Sequence, residues 1–311
     1  MISVVVPIFN EEESVKDFYQ ELIKNLKKIQ EGFEIVFVDD GSTDETLTLL
    51  KNLKKKENVR IFSFRRNQGK AEALTLGFQK AIGDYIVTLD ADLQDKPSEI
   101  KKLLDKKREG YDVVCGWRKH RQDPFAKVLS SKIFNFLAGL FWGLNIHDYN
   151  CGLKVFSKES VESLELYGGL HRFIPLIMYQ RGFSVGEVAI EHRNRIHGRS
   201  KYGFSKLWKD LPDIFTMLFL SKYSSRPMHF FGLIGGIFIF IGLVILVYLT
   251  VIHFAGQAIG RRPLLFLGML LVIGGLQVFF TGFLADLILH TLGNNKTFKA
   301  EDSHTLKYST D

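Results

Sequence analysis

Two carboxylates stand two positions apart in the segment LDADLQD, residues 89–95, directly after a predicted strand. In an extended backbone, side chains two positions apart point the same way, so Asp90 and Asp92 converge. Converging carboxylates attract a hard divalent cation, and Gln94 offers a further oxygen ligand. The pattern predicts a site for Mg²⁺ or Mn²⁺ that is completed by substrate phosphates. A solvated acidic turn that caps the helix at Pro97 is the alternative, and it is the better reading of such a pair in isolation.

Two further predicted strand ends carry polar residues of the same kind. The segment VDDGSTDET, residues 38–46, places two acids after a strand, followed by a glycine for a tight turn and hydroxyls that can cap a helix. Asp39 and Asp40 suit contacts with a base or a ribose. The opening VVVPIFNEEE ends its strand at a proline and then exposes Asn10 and Glu11 in the same crevice. The alternative for this opening segment is an ordinary turn between a strand and a helix, without a ligand.

These motifs fall between elements that alternate along the first half of the chain. β-Branched runs predict strands over residues 2–6, 34–38, 59–64, 85–89 and 112–115, and helix-period segments predict helices over 12–30, 43–55, 70–82 and 97–108. Such alternation predicts an α/β domain with a doubly wound, nucleotide-binding sheet. Ligands of these sheets bind at the carboxyl ends of the strands, which is where the polar motifs lie.

The average composition, 46% hydrophobic and 24% charged, is that of a globular protein and excludes disordered and collagen-like chains. That average conceals two segments without charge, residues 230–252 and 263–285. At a rise of about 1.5 Å per residue, each helix would reach about 34 Å, enough to cross a hydrocarbon core of about 30 Å. We therefore expect two transmembrane helices.

The net charge of +7 is concentrated beside the first of these spans. Eight basic residues against two acids lie between positions 193 and 226. Positive residues next to a span stay on the cytoplasmic side and attract anionic headgroups and phosphates. We expect a multi-pass protein of the inner (plasma) membrane whose large N-terminal domain faces the cytoplasm. A nucleic-acid partner is not expected, because no basic motif interleaved with aromatic residues lies outside this membrane-proximal stretch.

The same patterns predict the order of the parts along the chain. We expect the α/β domain over residues 1–203, a juxtamembrane amphipathic segment over 204–226, the two spans over 227–292 and a polar tail over 293–311. Residues 125–144 fit a helix in the membrane interface and a core helix of the domain equally well. The glycine pairs at 235–236 and 274–275 permit close helix packing between protomers, which is compatible with a homo-oligomer.

Taken in order, VVPIFNEEES, VDDGSTDET, NQGKAEALTLGF and DADLQD resemble the inverting glycosyltransferase family 2, which has the GT-A fold. The continuation GWRKHRQ, DYNCGLKVFS and HGRSKYG, followed by two spans, resembles the branch of dolichol- and undecaprenyl-phosphate sugar transferases. The resemblance covers residues 1–225. It implies metal-dependent, inverting transfer of a hexose from a nucleotide sugar to a polyprenyl phosphate such as undecaprenyl phosphate. UDP-glucose is the favoured donor and GDP-mannose the next.

The resemblance also implies roles for individual residues. The nucleotide-sugar site comprises Pro7, Phe9, Glu11, Asp39, Asp90, Ala91, Arg195 and Lys201. The metal ligands are Asp92 and Gln94, with Asp90 beside them. The acceptor phosphate is bound by Arg118, Lys127 and Ser131. The catalytic residues are Asp92, Arg118 and Asp148, the last in the position of the family's proposed base.

Two positions depart from the family pattern. Lys127 stands where many relatives have Arg, which keeps the charge but loses bidentate geometry. The common GES triplet is replaced by GRS at residues 198–200, which makes Arg199 an additional cation. For Asp148 the alternative is a turn acid that holds the acceptor loop. A lipid phosphate is largely anionic at pH 7, because its second pKa is near 6, so it hardly needs a strong base.

Two rival functions remain open at this point. A processive polysaccharide synthase shares the early motifs but requires a QxxRW motif and more spans, whereas Gln180 is followed here by Arg-Gly-Phe. A non-catalytic membrane scaffold is the other rival, and the intact acids at positions 90 and 92 argue against it.

Overall fold

The computed structural model describes residues 1–53, 58–119, 139, 143–162, 164, 166–193, 219, 223, 226–260 and 262–293. The chain divides into two compact units, Met1–Met217 and Leu218–Asp311. Nearly all of the predicted segments 125–144, 204–226 and 293–311 lie outside the described residues, so these predictions stay open.

The first unit is a mixed α/β fold. Its strands are β1 (Ile2–Ile8), β2 (Phe33–Asp39), β3 (Val59–Ser63), β4 (Tyr85–Thr88), β5 (Val113–Arg118), β6 (Lys154–Ser157) and β7 (Val185–Ile190). Its described helices are α1 (Val15–Ile29), α2 (Thr46–Leu53), α3 (Lys70–Lys80), α4 (Ile100–Arg108), α5 (Lys158–Glu162) and α6 (Ile174–Gln180). Short 3-10 turns cover Pro97–Glu99 and Gly168–Arg172.

The sheet has the strand order β3-β2-β1-β4-β6-β5-β7. Every pair of neighbouring strands is parallel except the two pairs that β6 makes with β4 and β5. The predicted α/β class with its parallel strands is confirmed. The sequence analysis did not predict β6 or β7. β6 is only four residues long and begins with a lysine, and both properties obscure the pattern of a buried strand.

The opening strand, β1, is a continuous apolar run because both of its faces lie in the core. Val4, Val5 and Val6 in β1 are all fully buried, because helices cover both faces of the sheet. On α1, Phe18, Leu22 and Leu26 recur every four residues and are buried against the sheet. Each such side chain stabilises the fold by about 1.5–3 kcal/mol relative to an exposed position.

The second unit is a pair of apolar helices, α7 (Pro227–Phe254) and α8 (Pro263–Gly293). Both are long and apolar enough to cross a membrane, with mean hydropathies of 2.9 and 2.3 in their most apolar windows. A prediction of two apolar helices in this part of the chain is therefore confirmed. The connection begins with Gly256 at a φ of 84°, a left-handed conformation that favours glycine.

Glycines allow α7 and α8 to approach closely. A Cβ atom on Gly275 would lie 2.8 Å from the carbonyl oxygen of Gly235, and one on Gly235 would lie 2.6 Å from the carbonyl oxygen of Gly275. At the neighbouring glycines, Gly236 and Gly274, no described atom beyond the adjoining backbone of the same helix lies within 4 Å of that position. One member of each glycine pair therefore packs inside the helix pair, and the other faces outward.

We predict that Gly275→Ala destabilises the helix pair. The helix propensity gained from alanine is about 1 kcal/mol, but a methyl group forced against backbone atoms costs about 1–3 kcal/mol. Gly274→Ala is the matched control, since it gains the same propensity in open space. Titration of the full chain in mild detergent with SDS measures the unfolding midpoints. Equal midpoints for the two variants would contradict this packing.

Candidate active site

The carboxyl ends of β2, β1 and β4 lie side by side and bring the three acidic motifs to one edge. β1 pairs in parallel with both neighbours, and Ile8 stands opposite Asp39 in the register. Backbone bonds continue the pairing beyond the strands, from the Asp40 N–H to the Ile8 carbonyl at 2.8 Å and from the Leu89 N–H to the Val5 carbonyl at 3.3 Å. This edge is the candidate active site.

The loop after β1 and the loop after β2 are joined by hydrogen bonds that run in both directions. The N–H of Asn10 donates to the hydroxyl of Ser42 at 3.0 Å, and the N–H of Thr43 donates to the side-chain oxygen of Asn10 at 2.8 Å. The N–H of Glu11 donates to the hydroxyl of Thr46 at 2.9 Å. Asn10 has a φ of 54°, a left-handed conformation that asparagine tolerates. The motif residues that suggested a ligand contact therefore also fasten the loops together.

Asp39 and Asp40 are buried and bound to different partners. Asp39 accepts hydrogen bonds from the Ser63 hydroxyl at 2.7 Å and from the Ser42 N–H at 3.2 Å. Asp40 accepts from the N–H groups of Gln68 and Gly69, at 2.7 and 3.0 Å, just before α3. Burial raises the pKa of Asp40, and these two N–H groups oppose the rise. Asp40 thus holds the loop that leads into α3.

Asp90 is paired with Lys70, a residue that the sequence analysis did not select. The ammonium lies 2.6 and 2.7 Å from the two carboxylate oxygens, and both side chains are about one-third exposed. Burial favours the neutral acid, but the charge and hydrogen bonds of Lys70, with the charge of Lys154, outweigh it and lower the pKa of Asp90. The sequence feature that could have identified Lys70 as a site residue is its position at the start of a predicted helix, within the motif NQGK.

The carboxylate of Asp90 leaves no room for a side chain at Gly152. A Cβ atom there would lie 2.5 Å from the Asp90 Oδ2 atom. The carbonyl oxygen of Gly152 accepts a hydrogen bond from the Thr88 hydroxyl at 2.8 Å. The segment before β6 is thereby packed onto the carboxylate, which restricts the orientation of Asp90.

The predicted metal ligands follow on the same loop. Asp92 is half-buried, and its Oδ1 atom accepts the N–H of Gln94 at 3.2 Å. Leu93, between them, has a φ of 60°, so the loop turns sharply here. No group of three His, Cys, Asp or Glu side chains poised for a metal is found among the described residues. The oxygens of Asp92, Gln94 and Asp90 nevertheless suit a hard cation that keeps water and phosphate ligands. A cation bound to Asp90 would have to displace Lys70.

Arg118 and Asp148 form a buried, bidentate ion pair. Nε and one terminal nitrogen of Arg118 lie 2.7 and 3.0 Å from the two oxygens of Asp148, and the side chains are 10% and 2% exposed. Burial would lower the pKa of Arg118, but the charge of Asp148 outweighs it and raises that pKa. Asp148 therefore holds the guanidinium at the end of β5. Its assignment as a general base stays a prediction.

The remaining predicted residues divide into two sets. Pro7 and Phe9 are half-buried at the end of β1, and Ala91 is buried beside Asp90. The residues outside the described part of the chain are Lys127, Ser131, Arg195, Arg199 and Lys201. The structure therefore brings the residues predicted to bind the nucleoside and the metal, and Arg118, to the carboxyl ends of the parallel strands, and their roles, like the rest of the predicted phosphate set, stay predictions.

A family model described as Glycosyl transferase family 2 matches residues 3–165. The chain belongs to this family. Among curated proteins, a dodecaprenyl-phosphate galacturonate synthase of Rhizobium johnstonii is 36% identical over 93% of this chain and 88% of its own length. An undecaprenyl-phosphate 4-deoxy-4-formamido-L-arabinose transferase of Proteus mirabilis is 31% identical over 92% of this chain and 88% of its own.

Solved structures are similar to this chain in fold. Glucosyl-3-phosphoglycerate synthase from Mycobacterium tuberculosis, crystallised with Mn²⁺, UDP and phosphoglyceric acid, has a TM-score of 0.55 and 21% identity, over 70% of this chain and 77% of its own. Mannosyl-3-phosphoglycerate synthase from Rubrobacter xylanophilus has a TM-score of 0.57 and 18% identity, over 70% and 72%. The GT-A architecture expected from the sequence is confirmed, and the chain is a glycosyltransferase.

His171 is a second residue that the sequence analysis did not assign to the site. It lies on the turn Gly168–Arg172, and its Nδ1 atom is 3.3 Å from the Gly168 carbonyl oxygen. Burial, and then the charges of Lys70 and Arg172, lower the pKa of His171 to about 3. The site therefore holds a neutral imidazole beside the Lys70–Asp90 pair.

This pKa predicts how acid affects stability. The unfolded chain binds a proton at His171 below about pH 6.5, whereas the folded chain binds it only near pH 3. His171 therefore makes the fold lose stability as the pH falls through that window. In His171→Gln, the unfolding temperature of the full chain in detergent should fall less than in the wild type between about pH 7 and pH 5. An equal or larger fall in the variant would contradict the low pKa.

Proposed function

We propose that this chain transfers a sugar from a nucleotide sugar to a polyprenyl phosphate such as undecaprenyl phosphate, with inversion at the anomeric carbon. The observation that carries the proposal is the similarity to two polyprenyl-phosphate sugar transferases over more than nine-tenths of the chain. The acidic edge supports a nucleotide-sugar site, and the two apolar helices suit an enzyme whose acceptor is a membrane lipid.

The reaction needs negative charge to be compensated at two places. A divalent cation held by Asp92, Gln94 and Asp90 would neutralise the nucleoside diphosphate as the bond from its oxygen to the sugar C1 breaks. Lys70 is 2.6 Å from Asp90 in this structure, and once such a cation displaced it, its ammonium could contact phosphate oxygens. We assign Arg118 to the acceptor phosphate, whose oxygen forms the new bond to C1. Because that phosphate is already anionic, Asp148 serves mainly to hold Arg118.

The donor is proposed to be a UDP-sugar. The resemblance alone favours UDP-glucose and then GDP-mannose. The names of the similar curated proteins specify galacturonate and 4-deoxy-4-formamido-L-arabinose. We therefore place UDP-galacturonate and the UDP-linked formamido-arabinose ahead of UDP-glucose as candidate donors. Mg²⁺ and Mn²⁺ are both compatible with the oxygen ligands.

A membrane assay with radiolabelled donors tests the function. Undecaprenyl phosphate is offered with UDP-galacturonate, the UDP-linked formamido-arabinose, UDP-glucose or GDP-mannose, and Mg²⁺ or Mn²⁺. We expect a lipid-linked radioactive product with one UDP-sugar. Asp92→Asn should lower turnover by at least about a hundredfold, because a loss of charge stabilisation at the leaving group acts on the chemical step.

The control for this assay is a change of equal size outside the site. Glu109→Gln removes one charge from an exposed ion pair with Lys106 and should leave turnover unchanged. Absence of a lipid-linked product with every donor would refute the proposed function. A near-normal rate for Asp92→Asn would remove only the metal assignment.

We also propose that the chain lies in the inner membrane with its catalytic domain in the cytoplasm. Two spans return the chain to its starting side, so the tail from residue 294 would also be cytoplasmic and only residues 253–262 would face outward. Arg261 and Arg262 in that short connection oppose this orientation, but the eight basic residues of positions 193–226 outweigh them. Nucleotide sugars are cytoplasmic substrates, which favours the same orientation.

Labelling of single cysteines in intact cells tests the orientation. A cysteine at Gln257 should react with an impermeant maleimide, and one at Ser309 should be protected until the cells are opened. The background, Cys115→Ser/Cys151→Ser, removes both native thiols, which are buried. Burial raises the pKa of Cys115 to about 12, so little reaction is expected from it even when it is kept. The reverse labelling pattern would overturn the orientation.

A further inference from the structure

The loop that carries Asp148 lies across the carboxyl end of β5. Two consecutive residues of the loop, His147 and Asp148, contact the last two residues of the strand. Trp117 and Arg118 end the strand, and consecutive side chains of a strand point to opposite faces of the sheet. His147 stacks on Trp117 with ring centroids 4.1 Å apart and planes 17° apart. Asp148 holds Arg118 on the other face. Fixing residue 147 on one face therefore fixes residue 148 on the other.

Glu187 in β7 is the anchor of this arrangement. Its Oε2 atom accepts the backbone N–H of His147 at 2.8 Å, and its Oε1 atom is bonded to the His147 ring nitrogen Nδ1. In the parallel register Glu187 stands opposite Cys115, so it shares a face of the sheet with Trp117. A carboxylate in the middle of a strand thus holds both the main chain and the ring of the residue before Asp148.

Local bonds make the loop stiff enough to transmit this constraint. The Tyr149 hydroxyl donates to the Leu144 carbonyl, and the N–H of Asn150 donates to the Asp148 Oδ1 atom at 3.1 Å. Tyr149 and Asp148 are both buried. A displacement at His147 would therefore move Asp148 and its partner Arg118 rather than be absorbed within the loop.

We propose that Glu187 is a positioning residue for the acceptor half of the reaction, acting through His147 and Asp148 to place the Arg118 guanidinium. This inference rests on the proposed function, in which Arg118 binds the acceptor phosphate. The side-chain hydrogen bonds of Glu187 within the described residues all go to His147. The influence of Glu187 is confined to the acceptor side, because no hydrogen bond or ion pair of Glu187 within the described residues reaches Asp90, Asp92 or Lys70.

Steady-state kinetics of the full chain in membranes test the assignment. In Glu187→Ala, we expect the catalytic efficiency for undecaprenyl phosphate to fall by about ten- to a hundredfold, the loss typical of a catalytic group displaced by about 1 Å. The KM for the nucleotide sugar should stay at the wild-type value, and the unfolding temperature should fall by only a few degrees, the cost of the lost hydrogen bonds. Glu187→Gln should recover part of the loss, because its amide oxygen can still accept the His147 N–H, and it serves if the alanine variant does not fold.

A double-mutant cycle separates a positioning role from a general one. If Glu187 acts through Asp148, Glu187→Ala combined with Asp148→Asn should be no slower than Asp148→Asn alone. Glu109→Ala, which removes an exposed carboxylate elsewhere, should lower activity neither alone nor in combination with Asp148→Asn, so the cycle is informative only if Glu187→Ala is slow by itself.

The outcomes are distinguishable from a failure of the proposed function. A wild-type enzyme without any lipid-linked product would overturn the function and this inference with it. An active wild type would leave the function standing, and the inference would then be overturned by additive losses, by a raised donor KM, or by unchanged acceptor kinetics in Glu187→Ala.

Discussion

Negative charge crowded at one edge of the sheet is the constraint on which the rest of the site depends. Parallel strands bring their carboxyl ends together, and in this chain those ends carry carboxylates on adjacent strands. A buried carboxylate is costly unless hydrogen bonds or an opposite charge stabilise it. Asp39 and Asp40 use hydroxyl and backbone N–H donors, Asp90 uses Lys70, and Asp148 uses Arg118. Each arrangement also fixes a loop, so the same hydrogen bonds and ion pairs that stabilise the carboxylates determine the loop geometry.

Asp95 is compensated more weakly, by a thiol donor from Cys151. It is buried, its Oδ1 atom has no hydrogen-bond partner within the described part of the chain, and its Oδ2 atom is 3.7 Å from the Cys151 sulfur. Burial raises the pKa of Asp95 against the opposing charge of Arg118. An acid that is easier to protonate adds less negative charge to an edge that already holds several carboxylates. The compensation at this edge is therefore distributed unevenly, with full ion pairs at Asp90 and Asp148.

Local patterns in the sequence were sufficient for the strands and helices of residues 1–118 but not for the later elements or for the pairings. The buried run in β1 and the four-residue spacing in α1 are local, and so are the acids that follow the strands. β6 was missed because its first residue, Lys154, has the type of a surface residue, although its ammonium is buried and bonded to the Cys151 carbonyl. Lys70 and Asp90 lie 20 positions apart, and Arg118 and Asp148 lie 30 apart. Such pairs depend on how helices and loops pack on the sheet, which no spacing rule encodes.

The pairing of Asp148 with Arg118 argues against a general-base role for Asp148, the role that its position in the motif predicts. A general base must have a lone pair directed at the proton it removes, yet both oxygens of Asp148 are directed at a guanidinium that burial makes costly to leave unpaired. A phosphate nucleophile is already anionic and has no proton that must be removed. In the proposed transfer to a lipid phosphate, a fixed cation at this place would therefore matter more than a base. A buried carboxylate, itself held by a loop anchored on β7, supplies that cation with a fixed position.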